Sequence, residues 1–139
     1  MPKPVPVPDK LSKPFWDAVQ QRRLIVQNCT ACNRKQYPPE PVCAKCGSAE
    51  HLEWREVKGR GKIHGYCVMY DSRIIPLHED QPFNIAIIKL EEDPEIMFFS
   101  HLPGTPAGEV PLGAAVELVF EEMKLEPGRL IHEWKVVKK

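Results

Sequence analysis

The chain has 139 residues, a length that suits one domain, or one domain with a small added module. Lysine and arginine together number 19, aspartate and glutamate also number 19, and the formal net charge is zero. This balance argues against a general nucleic-acid binder, because such proteins gain affinity by releasing counterions from phosphates. The sequence contains neither an apolar run long enough to span a bilayer nor an apolar signal segment near its start. We therefore expect a cytoplasmic protein that does not enter a membrane.

The first predicted element is an extended arm over residues 1–11, which carries prolines at positions 2, 4, 6 and 8. Ser12 is a candidate N-cap for a short helix over residues 13–22. The helix is indicated by apolar residues at helical spacing, namely Phe15, Trp16, Ala18 and Val19. We interpret the arm and the Phe15–Trp16 stretch as part of a docking surface. The alternative is that they only cover the barrel.

Two Cys-x-x-Cys pairs follow, Cys29 with Cys32 and Cys43 with Cys46. Each pair can turn two thiolates onto one ion, and four such sulfurs suit tetrahedral Zn²⁺. Because four cysteines leave no open position for water, we expect a structural metal and not a catalytic one. Iron is the alternative metal, since four thiolates also suit it. Two disulfides, or four free thiols, are the alternatives without a metal.

The residues after each second cysteine, Asn33 and Gly47, tolerate positive φ, which a tight turn around a metal can use. Together with the short strand that starts at Leu24, the two pairs predict a metal ribbon over residues 24–51. Cys67 is the odd cysteine. It lies in an alternating pattern, and we interpret it as a small buried apolar residue.

From residue 52 the sequence changes to strands and turns. The run Leu52–Lys58 is followed by five predicted strands separated by segments rich in proline and glycine, over residues 63–70, 83–90, 96–102, 116–121 and 130–137. A mainly β fold with a five-stranded OB barrel fits this count, and a small sandwich fits it less well. The predicted domains are the arm over 1–11, the helix and zinc ribbon over 12–51, and the OB-fold over 52–139.

The order of these segments resembles an acyl-CoA-associated family in which a rubredoxin-like zinc ribbon is fused to an OB-fold. That family was long described as a domain of unknown function, or as nucleic-acid-binding proteins containing a Zn-ribbon. The resemblance covers roughly residues 12–137 and rests on Phe15-Trp16, the segment 23–29, Tyr37-Pro38-Pro39, the segment 43–48, Glu53-Trp54, the segment 59–63 and the segment 111–117.

The resemblance implies a partner protein. Members of the family are associated in lipid metabolism with thiolases, thiolase-like aldolases or MaoC-type hydratases, as scaffolds that bridge or complete those enzymes. Acyl-CoA binding has been proposed for them. We therefore expect an accessory subunit without a catalytic residue of its own. The only positions that the resemblance assigns are the metal ligands Cys29, Cys32, Cys43 and Cys46.

An acyl-CoA site needs cations for the phosphates and an apolar slot for the acyl chain. The candidates for the cations are Arg22, Arg23, Arg60 and Lys62, with Lys58 beside them. The candidates for the apolar slot are Phe15 and Trp16, on the predicted helix.

Single-stranded nucleic-acid binding is the alternative function, because OB barrels do this with exposed aromatic rings and a positive groove. The available rings are those of Tyr66, Tyr70, Phe98 and Phe99, although core packing explains most of them equally well. An autonomous enzyme is a third alternative. It lacks support, because the sequence shows no nucleophile–base pair, phosphate loop or open metal site, and the five histidines have no zinc-ligand spacing.

Overall fold

The computed structural model describes residues 1–137 and contains the predicted helix as α1 (Lys13–Gln20). Its apolar positions Phe15, Ala18 and Val19 are buried, as their helical spacing predicts. Ser12 does not cap the helix with its side chain. Its hydroxyl instead accepts the N–H of Asp9 at 3.1 Å, and the Asp9 carboxylate accepts the N–H of Ser12 at 2.7 Å. This reciprocal pair stabilises the turn that precedes α1.

The first sheet has three antiparallel strands, β1 (Ile25–Cys29), β2 (Lys35–Gln36) and β3 (Leu52–Glu56), in the order β2-β1-β3. β1 is the central strand, and all of its residues are buried. The segment Leu52–Glu56 was expected among the strands after the ribbon. It pairs instead along the whole of β1, from Cys29 opposite Leu52 to Ile25 opposite Glu56. The strand that follows the second cysteine pair therefore completes the ribbon sheet.

The second sheet has five antiparallel strands, which confirms the predicted five-stranded OB-type barrel. They lie in the order β6-β5-β4-β7-β8 and are β4 (Arg60–Met69), β5 (Phe83–Leu90), β6 (Met97–Ser100), β7 (Ala115–Glu122) and β8 (Leu130–Val136). A 3₁₀ turn over Ile75–Asp80 lies within the predicted loop 71–82. The interior of the barrel contains fully buried apolar side chains, among them Phe98 and Trp134, whose ring centroids are 5.6 Å apart.

The edge strands β6 and β8 meet through the Ser100 side chain, and we call this meeting line the barrel seam. The Ser100 hydroxyl accepts the N–H of Trp134 at 2.9 Å and donates to Glu133 Oε2 at 2.7 Å. Both Ser100 and Glu133 are buried. The barrel is nearly closed. At the barrel seam, the hydrogen bonds of the Ser100 side chain join the two edge strands β6 and β8.

A change of register in β4 explains why Cys67 is exposed and not buried as predicted. Ile63 faces Ile88, whereas Gly65 faces Ile87, so that one extra residue lies between them. Such a bulge exchanges the two faces of the strand from that point onward. Ile63 therefore points into the barrel, and Cys67, opposite the half-buried Ile85, lies on the outer face.

The chain divides into two compact units, one formed by residues 7–58 and the other by residues 1–6 together with residues 59 onward. In the second unit, hereafter the barrel unit, Lys3 anchors residues 1–6 of the predicted arm. Its ammonium lies 2.6 Å from Glu133 Oε1 and 3.2 Å from Glu121 Oε2. The domain limits 1–11, 12–51 and 52–139 remain a proposal, and Lys138 and Lys139 lie outside the described residues. Among the described residues, no helix has the length and apolar character that crossing a membrane requires.

Candidate metal centre and ligand residues

The four predicted cysteines come together at the end of the ribbon sheet. Their sulfur atoms all lie within 4.8 Å of one another. The Sγ atoms of Cys29 and Cys46 are 3.6 Å apart, and those of Cys32 and Cys43 are 3.5 Å apart. Four sulfurs at about 2.3 Å from one tetrahedral ion would be about 3.8 Å apart. The donor set therefore fits one metal ion held by four thiolates, which would occupy all four tetrahedral positions.

The two turns that present the cysteines have the backbone that the sequence predicts. Asn33 has φ 58° and Gly47 has φ 75°, so both occupy the left-handed region. Each turn is closed by a backbone hydrogen bond, from Asn33 N–H to Cys29 O at 2.7 Å and from Gly47 N–H to Cys43 O at 2.9 Å. The backbone N–H of Cys46 donates to the Cys43 sulfur and lowers the pKa of that thiol to about 6, whereas burial raises the pKa of Cys32 to about 11. A metal binds the thiolate form of both residues, so metal binding would release protons from this cluster.

Two buried glutamines, Gln27 and Gln36, hold the loop that leads to the second cysteine pair, and we call their contacts the knuckle network. Gln36 Nε2 donates to Gln27 Oε1 at 2.8 Å and to the carbonyl of Val42 at 3.1 Å, and Gln36 Oε1 accepts the N–H of Ala44 at 2.9 Å. Gln27 accepts the N–H of Glu40 at 2.8 Å and donates to its carbonyl at 3.0 Å. The two side-chain amides thus make the hydrogen bonds to Glu40, Val42 and Ala44 that a neighbouring strand would otherwise make.

The sequence analysis did not single out these glutamines. Gln27 lies at a central position of β1 and Gln36 lies opposite it on β2, as direct cross-strand partners. Each is less than a tenth exposed. Glutamine in a short strand usually lies on the surface, so its residue type does not predict burial. The one signal in the sequence is position, because Gln27 and Gln36 lie on either side of the turn that carries Cys29 and Cys32.

Four of the six predicted ligand residues belong to the unit of residues 7–58. Phe15 is only 2% exposed and packs against Trp16 and Tyr37, with ring centroids 5.1 and 5.4 Å apart. Arg22 is exposed and lies just beyond the end of α1, with φ 60°. Arg23 lies 3.6 Å from Glu56 in an exposed ion pair. Phe15 is therefore a core residue of this unit, and the two arginines lie at the end of the helix.

The other two predicted ligand residues, Arg60 and Lys62, belong to the barrel unit. Both are exposed at the start of β4 and line a cleft of about 600 Å³. The assignment of all six residues to a ligand remains a prediction.

The aromatic residues considered for nucleic-acid binding divide into two groups. Phe98 is buried in the barrel, but Tyr70 and Phe99 are more than 70% exposed and Tyr66 is 39% exposed. Of these four aromatic residues, only Phe98 is therefore explained by packing in the barrel core.

His132 and His101 are the two histidines whose ionisation the fold shifts. Burial lowers the pKa of His132 to about 4, and burial together with the Lys3 charge lowers the pKa of His101. His132 packs edge-on against Phe98 with centroids 5.7 Å apart. Both rings are therefore neutral near pH 7.

Two family models match the chain, and together they cover about three quarters of it. Residues 16–51 match the rubredoxin-like zinc ribbon domain of ChsH2, and residues 54–121 match the C-terminal OB-fold domain of ChsH2. The chain belongs to this ChsH2-type (DUF35) family. The family match and the geometry of the four cysteines agree on a structural metal ion in the ribbon.

Curated relatives of the ChsH2-type chain are found in bacteria and archaea. A probable enoyl-CoA hydratase alpha subunit from Thermomonospora curvata is 32% identical over 113 residues, which are 78% of this chain and 33% of that protein. This chain therefore spans only a third of that relative. A DUF35 domain-containing scaffold protein from Methanocaldococcus jannaschii is 29% identical over 119 residues, which are 84% of this chain and 81% of that protein.

Two solved structures share the fold of the ChsH2-type chain. One chain of a structure described as "Ltp2-ChsH2(DUF35) aldolase" is 26% identical, with a TM-score of 0.81 over 95% of this chain and 98% of that one. A DUF35 protein of unknown function from Sulfolobus solfataricus has a TM-score of 0.64 over 92% of this chain and 86% of that one. At 20% identity, this second likeness concerns the fold alone.

Proposed function

We propose that the chain is an accessory scaffold subunit of a thiolase-type or MaoC-hydratase-type enzyme that acts on acyl-CoA, in cytoplasmic lipid metabolism. The observation that carries the proposal is the likeness, over nearly the whole of both chains, to the protein from the Ltp2-ChsH2(DUF35) aldolase. The relatives named as a hydratase subunit and as a scaffold protein support it independently. The closed four-sulfur centre also supports it, because such a centre stabilises a fold and does not carry a reaction.

The metal in this proposal is Zn²⁺, and its role is to fold the ribbon unit. Cys29, Cys32, Cys43 and Cys46 would hold it, with iron as the alternative ion. In small metal units of this kind, metal binding contributes about 10–16 kcal/mol of apparent free energy to folding. The ion would thereby fix the surface that β1, β2 and β3 offer to a partner.

Direct acyl-CoA binding is the finer part of the proposal. Each unit, taken by itself, offers different groups. In the unit of residues 7–58, Arg22 and Arg23 would supply charge for phosphates and the Phe15–Trp16 stretch would supply apolar contact. In the barrel unit, Arg60 and Lys62 would supply the charge. The half-buried Trp16 is the accessible member of that pair, since Phe15 is 2% exposed.

The test is reconstitution with a defined enzyme. The tagged chain is purified from its native host extract, the co-purifying proteins are identified, and the main one is produced alone and with the chain. We expect a thiolase-type or hydratase-type enzyme in near-equal amount, whose turnover of an acyl-CoA substrate falls when the chain is withheld and returns when it is added back. An enzyme that is equally active without the chain would contradict the proposal.

Single-stranded nucleic-acid binding remains the second candidate, because Tyr66, Tyr70 and Phe99 of the barrel unit are exposed. Exposed rings on an OB barrel can stack on bases. Filter binding of a single-stranded oligonucleotide across a salt titration separates the two candidates, since affinity for nucleic acid falls steeply as salt rises. Salt-sensitive binding that the Tyr70→Ala and Phe99→Ala variants abolish would favour this second candidate over the scaffold.

A further inference from the structure

The solvent side of strands β4, β5 and β6 is apolar, and we call this surface the outer face. Phe98 and Ser100 of β6 are buried in the barrel, so Met97 and Phe99 point outward, where they are 44% and 71% exposed. The outward positions of β5 and of the second half of β4 are also apolar. The outer face consists of Gly65, Cys67, Ile85, Ile87, Met97 and Phe99.

The strand register makes the residues of the outer face neighbours. Ile87 is the direct partner of both Gly65 and Phe99, so these three positions form one row across three strands. Cys67 and Ile85 are partners in the next row. Residues directly opposite on antiparallel strands are close enough for their side chains to interact. The solvent side of an antiparallel sheet is ordinarily polar, so a continuous apolar patch there indicates a binding surface.

The outward side of β7 and β8, in contrast, is covered by the chain's own arm. Glu121 and Glu133 bind the Lys3 ammonium at 3.2 and 2.6 Å, and Glu133 is buried. Phe99 has no such cover and stays exposed within the part of the chain that the structure describes. The outer face is therefore the apolar side of the barrel unit that is left to a partner.

Gly65 leaves an opening in the middle of the outer face. A Cβ atom on this residue would meet no other atom within 4 Å, and its φ lies outside the left-handed region. Gly61 differs, because a Cβ atom there would stand 2.5 Å from the carbonyl oxygen of Lys89. Glycine inside a strand weakens it, and at position 65 neither packing nor a positive φ requires this residue. The opening beside Ile87 can therefore receive a side chain from a partner.

Two lysines border the outer face. Lys62 and Lys89 are direct cross-strand partners, and Lys89 also lies opposite Met97. Like charges in direct opposition destabilise a sheet. Within residues 1–137, neither ammonium lies within 4.0 Å of a carboxylate oxygen. A partner that brings a carboxylate to this border would relieve the repulsion.

The arrangement of charges favours a different protein over a second copy of this chain. The six residues of the outer face include no carboxylate. Glu117 is the cross-strand partner of Arg60, and the N–H of Glu91 donates to the Arg60 carbonyl at 2.9 Å, so these two acids lie beside Arg60 and not on the outer face. If two identical outer faces packed together, Lys62 and Lys89 would meet apolar side chains or other lysines.

We propose that the outer face is the surface through which the chain binds a partner protein, which places an apolar side chain in the opening at Gly65 and a carboxylate on Lys62 and Lys89. This rests on the proposed function, since the partner is the enzyme that the chain assists. Met and Phe are typical of the centre of protein interfaces. Base stacking requires aromatic rings, and Phe99 alone supplies one on the outer face.

Gly65→Val is the decisive variant, because it fills the opening and leaves the core untouched. We expect its free energy of unfolding in urea to equal or exceed that of the wild type, since the space is empty and valine favours strands. Calorimetric titration with the enzyme identified by reconstitution should show binding weakened by at least about tenfold. Gly108→Val is the matched control, because Gly108 also has open space and lies in a loop. Equal affinity of Gly65→Val and the wild type would overturn the inference.

Charge variants test the border of the outer face. Lys62→Glu/Lys89→Glu should weaken binding to the same enzyme, and the loss should shrink as salt concentration rises, because salt screens the repulsion of the partner's carboxylate. Lys62→Arg/Lys89→Arg keeps both charges and should retain binding. A charge-reversed variant that binds like the wild type at low salt would overturn the assignment of a carboxylate to the partner.

The Cys67 thiol reports on the outer face whichever protein binds there. N-ethylmaleimide is applied to the isolated chain and to the chain in its native host extract, and peptide mass spectrometry measures modification of Cys67, which is exposed. We expect Cys67 to be protected in the extract and to lose this protection in Gly65→Val. Equal modification in both samples would overturn the inference and leave the accessory role intact. Protection that nuclease removes would also overturn it, as would a dimer of the isolated chain that Phe99→Glu dissociates.

The two proposals fail separately. If reconstitution fails and Cys67 is protected by a defined protein of another kind, the accessory role is removed and the outer face remains a docking surface. If reconstitution succeeds and Gly65→Val restores activity as well as the wild type does, the accessory role stands and the enzyme binds elsewhere.

Discussion

At the scale of single residues, His132 shows how burial changes chemistry in this fold. Its ring packs on Phe98 inside the barrel, and burial lowers its pKa from the ordinary value of 6.5 to about 4. The folded protein therefore keeps His132 neutral at pH values where the unfolded chain would protonate it. Unfolding then takes up a proton, and stability falls as the pH drops from about 6.5 towards 4. His101, whose pKa is also lowered, acts in the same direction.

We predict that His132→Phe reduces the acid sensitivity of the protein. Between pH 7.5 and 4.5, the free energy of unfolding of the wild type should fall by about 2 to 3 kcal/mol more than that of the variant, because the variant has no buried imidazole to protonate. Urea denaturation at a series of pH values, with metal-saturated protein, measures this difference. His64→Phe replaces an exposed histidine and should follow the wild-type curve. Parallel curves for wild type and His132→Phe would contradict the prediction.

The contribution of His132 has to be measured against the His132→Phe variant, because Glu133 changes the free energy of unfolding in the opposite direction as the pH falls. Burial raises the pKa of this carboxyl, although the nearby Lys3 ammonium opposes the effect. The folded state therefore binds the Glu133 proton more tightly than the unfolded chain, and this group gains stability as the pH falls. An absolute acid-denaturation curve would mix the two contributions.

At the scale of elements, the second metal turn depends on β1 and β2 through the knuckle network of Gln27 and Gln36. Residues 40–44 do not form a strand, and the backbone groups of Glu40, Val42 and Ala44 bond to the two buried amides instead. A cysteine at position 43 can meet the other three only if this loop is held in place. The glutamines are therefore positioning residues for the metal and do not contact it.

We predict that Gln36→Leu weakens metal binding by about 10- to 100-fold, the usual cost of removing an outer contact that orients a ligand. Two backbone groups, the N–H of Ala44 and the carbonyl of Val42, would lose their buried partner. Competition with a chromophoric chelator measures the affinity, and the Co²⁺ absorption spectrum reports the geometry of the sulfur ligands. Lys35→Met, at the neighbouring position of β2, serves as the control. An affinity equal to that of the wild type would show that the amides do not orient the site.

The elements also show what the sequence could and could not predict. The four cysteines, the left-handed residues Asn33 and Gly47, and the five barrel strands were predictable, because spacing and alternation are local properties. The pairing of β3 with β1 was not, since it joins residues more than 20 positions apart. The exposure of Cys67 depends on one extra residue after Ile63, and alternation in the sequence cannot reveal such a shift.

At the scale of the whole molecule, the metal centre and the barrel core belong to different compact units. The ribbon is small, and a metal ion held by its four cysteines would be its main cross-link. The barrel unit has its own buried core, which includes Phe98 and Trp134. The two units should therefore differ in their dependence on metal.

We predict that a strong chelator under reducing conditions unfolds residues 7–58 and leaves the barrel strands folded. Hydrogen exchange read by mass spectrometry should show lost protection over β1, β2 and β3 and retained protection over β4, β5 and β7. Metal analysis should find about one ion per chain before treatment. Addition of Zn²⁺ should restore protection, which controls for irreversible damage. Loss of protection in both units at the same chelator concentration would contradict the prediction.

The anchoring of Lys3 has a consequence for synthesis on the ribosome. Its partners Glu121 and Glu133 follow it by 118 and 130 residues, and the whole ribbon unit is translated between them. Because residues 7–58 form a compact unit, we expect the ribbon to bind its ion and fold once residue 58 has left the exit tunnel. Residues 1–6 cannot reach their partners until the last strands are made. We therefore expect nascent chains to pass through a stage in which a folded metal module precedes an unfinished barrel.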